Sequence, residues 1–239
     1  MLNHSIIEIL EMLQVKIELI DLLHLVPCMS PRYFTIASSP KNNAKIIRLV
    51  VKILGKKFEG ERSWTGLISK YFESLFTQIN QCKTSPLIYA KKTKSTLQGF
   101  DSKIHENVLM IGTGSGIAPF IGMMEEMEKG GMKMLVFGNR SSKKDFLYKD
   151  FILDKKAKGI LTELRTVFSR EEKIYVQDFI KTKGNIIKDF FNKKNSVCYI
   201  CGNPEMVKQV YIVFSIFLNE IGQSVKYLED EKKLFKEAW

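Results

Sequence analysis

The stretch "NVLMIGTGSGIAPFIGMMEEME", residues 107–128, decides the fold of this chain. It contains an apolar run typical of a buried strand, then a turn rich in glycine, then a segment with the composition of a helix. Pro119 falls near the first turn of that helix, where its missing N–H leaves no helical hydrogen bond unmade. The order of strand, glycine turn and helix predicts the first unit of an α/β sheet.

The glycines at 112, 114 and 116 are the candidate ligand-binding feature of this stretch. They would let the backbone approach a ligand closely, and the N–H groups at the start of a helix favour an anion. The spacing is GxGxG rather than GxGxxG, and no Lys-Ser/Thr pair follows as in a P-loop. The stretch alone therefore leaves two interpretations open, a pyrophosphate seat or an ordinary glycine turn.

The pattern continues after residue 128 with alternating strands and helices. Apolar strands are predicted in "MKMLVFG", "LTELRTVFS" and "VCYICG", and helical segments separate them. Such alternation is typical of a parallel sheet with crossover helices, so we predict a Rossmann-like α/β domain. The change in texture places its boundary near residues 102–106.

The first hundred residues have a different pattern. Residues 5–25 carry apolar residues at helical spacing and predict two helices with a break near residues 14–16. The runs "RYFTIASS" (32–39), "KIIRLVVKIL" (45–54) and "PLIYAKK" (86–92) are β-branched or aromatic and are bounded by turn residues, so they predict strands.

Composition limits the function classes. The chain has 239 residues, 45% of them hydrophobic, with a net charge of +11. Such a chain is globular, and it has neither a secretory signal nor an apolar run of the roughly 18 residues that a membrane span needs. We expect a soluble, cytoplasmic protein. Its lysines form scattered pairs without a nucleic-acid motif, which favours a phosphate ligand or an acidic protein partner over nucleic acid.

The "CYIC" motif of Cys198 and Cys201 has the spacing of a redox or zinc motif. It lies in a β-type run, however, where residues three apart point to opposite faces. The sequence has no second Cys or His pair of this kind, so we predict no metal site. Without an export signal, we expect no disulfides among the four cysteines.

A set of polar and basic residues follows the strand that ends in "TVFS". Ser169, Arg170, Lys173 and Tyr175 offer a hydroxyl, a guanidinium, an ammonium and a phenol at the carboxyl end of a predicted strand, where open α/β sheets bind ligands. These groups suit a phosphomonoester such as the 2′-phosphate of NADPH. A solvated basic turn is the other interpretation of this segment.

In order along the chain, seven motifs resemble those of one family: "RYFTIASSP", "WTGLISKYF", "GTGSGIAPFIG", "FGNRSSKKDFLYKDF", "VFSREEKIYVQ", "YICGNPEMV" and "FKEAW". They resemble the NADPH-binding half of the diflavin reductases, and the resemblance runs from about residue 5 to residue 239. It implies three parts: a helical remnant of a connecting segment (1–25), part of an antiparallel FAD-binding β-barrel (26–104) and a Rossmann-like NADPH domain (105–239). The activity it implies is hydride transfer from NADPH to FAD, followed by electron transfer to a separate acceptor.

On the FAD side the resemblance implies roles for two motifs. Arg32 would hold the FAD pyrophosphate, Phe34 would lie against the flavin, and Thr35 would bond near its reactive nitrogen. A second phosphate element would be formed by Gly66, Leu67, Ile68 and Ser69, which would open a helix. Read alone, this second element is better explained as an ordinary helix cap.

On the NADPH side the resemblance implies a pyrophosphate group and a 2′-phosphate group. The pyrophosphate would be bound by Gly114, Ser115 and Gly116, with Arg140. The 2′-phosphate would be bound by Ser169, Arg170, Lys173 and Tyr175, with Gln177 nearby.

The resemblance also implies a catalytic set of Thr35, Cys201, Glu237 and Trp239. Cys201 would lie beside the nicotinamide, and Glu237 would work with that thiol and the Thr35 hydroxyl. Trp239 would cover the flavin. The alternatives are a small buried core thiol for Cys201 and a simple anchoring role for Trp239.

The chain departs from the family pattern at several positions. Phe34 stands where Tyr is usual, Thr35 replaces Ser, Asn139 replaces Cys, and Asn203 replaces an acidic residue. The segment between Arg170 and Lys173 is two residues shorter than in the microsomal enzymes.

The resemblance does not extend to an FMN domain or to the first barrel strands. An open barrel would expose strand edges and favour self-association. Two other hypotheses follow: an NADPH-binding module with weak or no FAD binding, or one part of a longer or split reductase. For the leading hypothesis, the positive charge suits an acidic electron carrier of flavodoxin type, or a haem protein.

Overall fold

The computed structural model describes residue 4 and residues 6–57, 63–82, 85–97 and 99–239. The chain divides into two compact units, 1–33 and 34–239. The first unit contains the helices α1 (Ile6–Met12) and α2 (Leu19–Leu25), separated by a break in which Gln14 has a positive φ of 52°. This confirms the predicted pair of helices, although residue 5, where their pattern begins, lies outside the described residues.

The second unit is built on a five-stranded sheet in which all neighbouring strands are parallel. Its strands are β3 (Asn107–Thr113), β4 (Lys133–Asn139), β5 (Glu163–Phe168), β6 (Ser196–Gly202) and β7 (Leu234–Ala238). They lie in the order β5-β4-β3-β6-β7. The predicted parallel α/β domain is therefore confirmed. β7 was not predicted as a strand.

Helices cover both faces of this sheet. The connections contain α4 (Ala118–Glu126), α5 (Lys149–Ala157), α6 (Ser169–Glu172), α7 (Val176–Lys181), α8 (Gly184–Asn192), α9 (Pro204–Asn219) and α10 (Val225–Asp230). Leu109 and Ile111 face the core formed with α7 to α10, whereas Val108 and Met110 face the core formed with α4 and α5. Strands buried on both faces have continuous apolar runs, and this explains the strong sequence signal of the sheet.

The segment between residues 34 and 104 contains little regular structure. A short antiparallel pair joins β1 (Gly55–Lys57) to β2 (Ser63–Thr65), and α3 (Leu67–Cys82) follows. Of the strands predicted at 32–39 and 45–54, the structure shows a single antiparallel bridge between Ile36 and Leu49. Residues 85–95 have no regular secondary structure, so the strand predicted at 86–92 is wrong. The structure does not show the predicted barrel.

Side-chain hydrogen bonds explain why the first two runs do not form a longer ladder. The Arg48 backbone N–H donates to the Ser38 hydroxyl (3.1 Å), and the Ser39 N–H donates to the Glu125 carboxylate (2.8 Å). These side chains satisfy backbone donors that a ladder would otherwise use. In the third run Leu87 and Tyr89 are 84% and 96% exposed. A β-type composition forms a strand only where neighbouring side chains pack against it.

The glycine turn packs tightly against the sheet. It forms a short 3-10 turn, Gly114–Ile117, between β3 and α4. A Cβ on Gly116 would lie 2.1 Å from the Cys201 carbonyl oxygen, and a Cβ on Gly112 would lie 2.8 Å from the Phe120 ring. Glycine is therefore required at these two positions by packing within the protein. Of the three glycines of this motif, Gly114 alone faces open space: it has φ +55° and nothing within 4 Å of its Cβ position.

The substitution Gly116→Ala tests this packing. We expect it to lower the free energy of unfolding by about 3 kcal/mol, because the new methyl group meets backbone that cannot turn away. Gly159→Ala is the control: it has φ +71° and open space, so only the left-handed backbone costs energy, about 1 kcal/mol. Urea unfolding measures both, and equal losses would contradict the packing argument.

Candidate functional site

The candidate site lies where the strand order of the sheet reverses. β3 and β6 are hydrogen-bonded neighbours, although β4 and β5 come between them in sequence. Chain connections leave these two strands in opposite directions, which opens a crevice at their carboxyl ends. The glycine turn follows β3 and the Cys201–Gly202 pair ends β6, so both motifs meet at this crevice.

The amino end of α4 is the candidate anion site of the crevice. Gly114 faces open space, Ser115 is half-buried, and Gly116 is buried against Cys201. The first N–H groups of a helix have no helical acceptor and carry a partial positive charge. Of the three predicted pyrophosphate residues, Gly114 and Ser115 thus remain accessible, while Gly116 fixes their position.

The predicted catalytic residues Thr35, Glu237 and Cys201 lie together. The Thr35 hydroxyl donates to Glu237 Oε2 at 3.0 Å, and the Cys201 thiol lies 3.9 Å from the same oxygen. Cys201 and Glu237 are direct partners in the β6–β7 register, so the pleat places both side chains on one face. Thr35 comes from a distant part of the chain and completes the cluster.

The Cys201 thiol is buried and remains protonated. Burial, and secondarily the Glu237 carboxylate, raises its pKa far above the ordinary value for cysteine. Cys198 faces the opposite core, as expected for residues three apart in a strand, so the two cysteines cannot act as a pair. The environment of Cys201 suits a small neutral group and not a nucleophile.

Trp239 follows β7 at the same end of the sheet. Its backbone N–H donates to the Gly202 carbonyl (3.3 Å), and the residue is 51% exposed. An indole with half of its surface exposed beside the crevice is available to stack on a planar ligand.

The predicted 2′-phosphate residues lie at the carboxyl ends of β4 and β5. The Arg170 backbone N–H donates to the Arg140 carbonyl (3.1 Å), and the Ser169 hydroxyl lies 3.4 Å from the Asn139 carbonyl. These contacts bring Arg140, Ser169 and Arg170 together at the carboxyl ends of the two strands. The side chains of both arginines are exposed.

The remaining members of this set follow on the next turn. Lys173 is exposed and has a left-handed backbone (φ 56°). Tyr175 is 59% exposed and directly precedes α7, where its N–H donates to the Asp178 carboxylate (3.0 Å). Gln177 lies in the first turn of α7 and is half-buried. The structure thus gives Lys173 and Tyr175 accessible side chains and leaves Gln177 more enclosed.

The two acidic residues of this loop are engaged within the protein. The Ser142 N–H (2.8 Å) and the hydroxyls of Ser141 (3.0 Å) and Ser142 (3.1 Å) donate to Glu171. These bonds, the Ser142 N–H foremost, hold the pKa of Glu171 below its usual range. Glu172 accepts the Phe168 N–H (3.0 Å) and pairs with Arg165. Both carboxylates order the loop that presents Arg170.

On the other side of the site, Phe34 makes an edge-to-face contact with Phe72 of α3, with 6.0 Å between the ring centroids. Arg32 belongs to the first compact unit, where its guanidinium donates to the Ser30 carbonyl. Phe34 is thus anchored by an aromatic contact, whereas the Arg32 guanidinium is exposed.

The predicted helix opening at 66–69 is present, because α3 begins at Leu67. Two of its groups already bind the preceding segment: the Gly66 N–H donates to the Leu54 carbonyl (2.8 Å), and the Ser69 hydroxyl accepts the Leu54 N–H (2.9 Å). Leu67 and Ile68 occupy the first helical positions, whose N–H groups have no helical acceptor. These two amides are the better candidates for a phosphate.

Sequence reasoning missed the contacts that hold the Thr35 segment in place. Ser39 donates to Glu125 and Glu126 at the end of α4, Arg48 pairs with Glu125, and Lys41 lies 2.6 Å from Glu126. Two adjacent acidic residues at the end of an apolar helix, in a strongly basic chain, were the available signal. Carboxylates are unfavourable at a helix carboxyl end unless cations pair with them.

Comparison with known proteins first shows the class of domain to which this site belongs. Residues 110–211 match the family described as "Oxidoreductase NAD-binding domain". This range contains the glycine turn, the basic loop and Cys201. The class is therefore that of nucleotide-binding oxidoreductase domains.

Individual relatives narrow this class. The chain is 34% identical to NADPH-dependent diflavin oxidoreductase 1 of Dictyostelium discoideum, over 79% of the chain and 32% of the relative. It is 27% identical to NADPH–cytochrome P450 reductase of Musca domestica, over 99% of the chain and 37% of the relative. It is also 27% identical to the sulfite reductase [NADPH] flavoprotein alpha-component of Vibrio cholerae, over 96% and 38%. The chain belongs to the diflavin reductase family, and it spans about a third of the length of these relatives.

Thiol accessibility tests the environment of Cys201. In a Cys82→Ser background at pH 8, we expect an aromatic disulfide reagent to modify the exposed Cys28 quickly and to leave Cys198 and Cys201 unmodified until the protein unfolds. Because burial is the largest cause of the raised pKa, adding Glu237→Gln should not make Cys201 reactive. Fast modification of two thiols in the folded Cys82→Ser protein would contradict this assignment.

Proposed function

We propose that this chain is the NADPH- and FAD-binding module of a flavin-dependent oxidoreductase. In this proposal NADPH delivers a hydride to FAD, and the flavin then supplies single electrons to a separate acceptor. The observation that carries it is the cluster of Thr35, Glu237 and Cys201 at the crevice, with the accessible indole of Trp239 beside the same sheet end.

The residues present fit NADPH. A nucleotide pyrophosphate suits the open backbone at Gly114 and Ser115, where the helix start favours an anion. The 2′-phosphate suits the exposed side chains of Arg170, Lys173 and Tyr175 with the Ser169 hydroxyl. Arg140 lies between the two groups in the strand order and would contact either phosphate. Family membership supports the same ligand.

The residues of the opposite side fit FAD in part. Phe34 and Trp239 offer aromatic surfaces, Thr35 offers a hydroxyl, and the first amides of α3 at Leu67 and Ile68 suit a phosphate. We propose that residues 26–104 contribute the FAD side, including Arg32 for the pyrophosphate. In the reductases that this chain resembles, the equivalent segment belongs to a barrel.

The clustered side chains would orient the reactants. Glu237 Oε2 accepts a hydrogen bond from the Thr35 hydroxyl and so fixes the direction of that hydroxyl. The neutral Cys201 thiol would pack against the nicotinamide as a small uncharged group. The indole of Trp239 would exclude water from the reacting face and would have to move for the nicotinamide to stack.

The acceptor is proposed from charge. The net charge of +11 suits an acidic partner of flavodoxin type or a haem protein, since complementary charge accelerates encounter. Within the described part of the chain, no helix has the length and apolar character needed to cross a membrane. We propose a cytoplasmic location for this module.

A second function is favoured by the exposed apolar residues of the segment before the sheet. Leu87 and Tyr89 are 84% and 96% exposed, and the structure does not show a barrel around them. Such a surface would suit a module that binds NADPH but holds FAD weakly, or that associates with itself or with a further part of a longer reductase.

Flavin content and reduction separate these functions. We expect the purified chain with added FAD to show flavin absorbance near 450 nm that NADPH bleaches under anaerobic conditions. Glu237→Gln should slow bleaching by about 10- to 100-fold, because it weakens the hold on the Thr35 hydroxyl. The control Glu231→Gln changes an exposed carboxylate outside this cluster and should leave the rate unchanged. NADPH binding without any flavin binding would favour the second function.

Cofactor preference tests the basic loop. Arg170→Ala should weaken NADPH binding by about 10- to 100-fold, because one charged hydrogen bond is worth about 1.5 to 3 kcal/mol, and should leave NADH unaffected. The control Lys158→Ala removes a cation that pairs with Asp154 on α5. Titration with both nucleotides measures the effect, and equal loss for NADPH and NADH would refute the 2′-phosphate assignment.

A further inference from the structure

The strand that carries Glu237 lies at the edge of the sheet. β7 has five residues and, among the residues that the structure describes, pairs with β6 alone. An edge strand is held by one ladder of hydrogen bonds, so its position depends on side-chain contacts more than that of a central strand. The position of Glu237 relative to Cys201 depends in turn on the register of β7.

Contacts on both faces anchor β7. On the face of Glu237, the Phe235 ring stacks on the buried Tyr199 with 5.3 Å between centroids and 14° between planes. On the other face Leu234 is buried in the core formed with α9 and α10. Lys236 has the same parity as Leu234, so its side chain belongs to this second face.

Lys236 takes part in a closed triangle of three contacts with Tyr211 of α9 and Glu229 of α10. The Lys236 ammonium lies 3.2 Å from Glu229 Oε1, and the Tyr211 hydroxyl donates to the same oxygen at 2.8 Å. The ammonium also lies 4.3 Å from the centroid of the Tyr211 ring. Each group therefore contacts both others, so that ordering one side chain orders the other two.

We propose that the Tyr211–Glu229–Lys236 triangle is a positioning device for the candidate site. It ties β7 to α9 and α10 one residue before Glu237, and thereby keeps the Glu237 carboxylate beside Cys201 and Thr35. The catalytic significance of this position rests on the proposed function, whereas the anchoring of β7 does not.

The geometry favours positioning over a simple surface ion pair. An isolated exposed pair contributes about 0 to 1 kcal/mol, since two flexible side chains must be ordered for one contact. Here a cation–π contact and a hydroxyl hydrogen bond share the ordering cost. Lys188 and Glu220 provide the comparison: they form a 2.7 Å ion pair on the same side of the molecule, without a residue of β7.

Hydrogen exchange on the protein without cofactors tests the anchoring. We expect Lys236→Met to accelerate exchange of the amides of residues 234–238 roughly tenfold relative to wild type, with β3 and β4 unchanged. Lys188→Met should change these amides less than about twofold, and Lys236→Arg should restore protection. Equal effects of Lys236→Met and Lys188→Met, or acceleration over the whole sheet, would overturn the proposal.

Rapid-mixing kinetics test the link to the site. Lys236→Met and Tyr211→Phe should slow flavin reduction by NADPH about three- to tenfold, whereas the dissociation constant for 2′,5′-ADP should not change. An unchanged rate in a variant with a frayed β7 would overturn the link. If wild type shows no flavin reduction, the proposed function fails, and the exchange experiment still decides whether the triangle positions β7.

Discussion

The approach of the glycine turn to the end of β6 is the constraint on which this site depends. Gly116 lies so close to the Cys201 carbonyl that a methyl group would overlap it, at 2.1 Å. The contact fixes the start of α4 directly over the strand that carries Cys201. The helix start and the buried thiol are therefore packed directly against each other.

From this unit the positions of the other groups follow by register and by packing. β7 pairs with β6 so that Glu237 stands opposite Cys201. Thr35 belongs to no strand of the sheet, and its segment is held instead at the other end of α4. There Ser39, Arg48 and Lys41 contact Glu125 and Glu126. A Cβ on Gly122 would lie 3.3 Å from the Ser38 backbone, so the segment also packs closely on α4.

Whether a strand could be predicted from the sequence depends on whether its own residues carry the signal or a neighbouring strand is needed. The centre of the parallel sheet was predictable because β3, β4 and β6 are buried on both faces and have continuous apolar runs. β7 was not, since "LFKEA" has two adjacent charged residues and no apolar run, and it needs β6 beside it to become a strand. The runs at 32–39, 45–54 and 86–92 have β-type composition, but composition does not specify a pairing partner.

The same distinction holds for the site. The opposite orientation of Cys198 and Cys201 followed from the pleat alone. The meeting of Thr35 with Glu237 joins residues 202 positions apart, and no local pattern encodes such a contact. Only the resemblance to the reductases indicated it. The glycines show the converse: the motif was recognised, but packing within the protein explains two of its three positions, and Gly114 has a positive φ and faces open space.

α4 is therefore the physical link between the two sides of the site. Its amino end carries the glycine turn, and its carboxyl end, about 13 Å away at 1.5 Å per residue, holds the segment that carries Thr35. Two carboxylates at a helix carboxyl end repel the local dipole, so their stability there depends on Arg48 and Lys41. These cations lie in the segment that follows Thr35. The Glu125 and Glu126 carboxylates, which would destabilise α4 if they were unpaired, therefore hold that segment against the helix. The distance between the glycine turn and the Thr35 hydroxyl is thus set by this one helix.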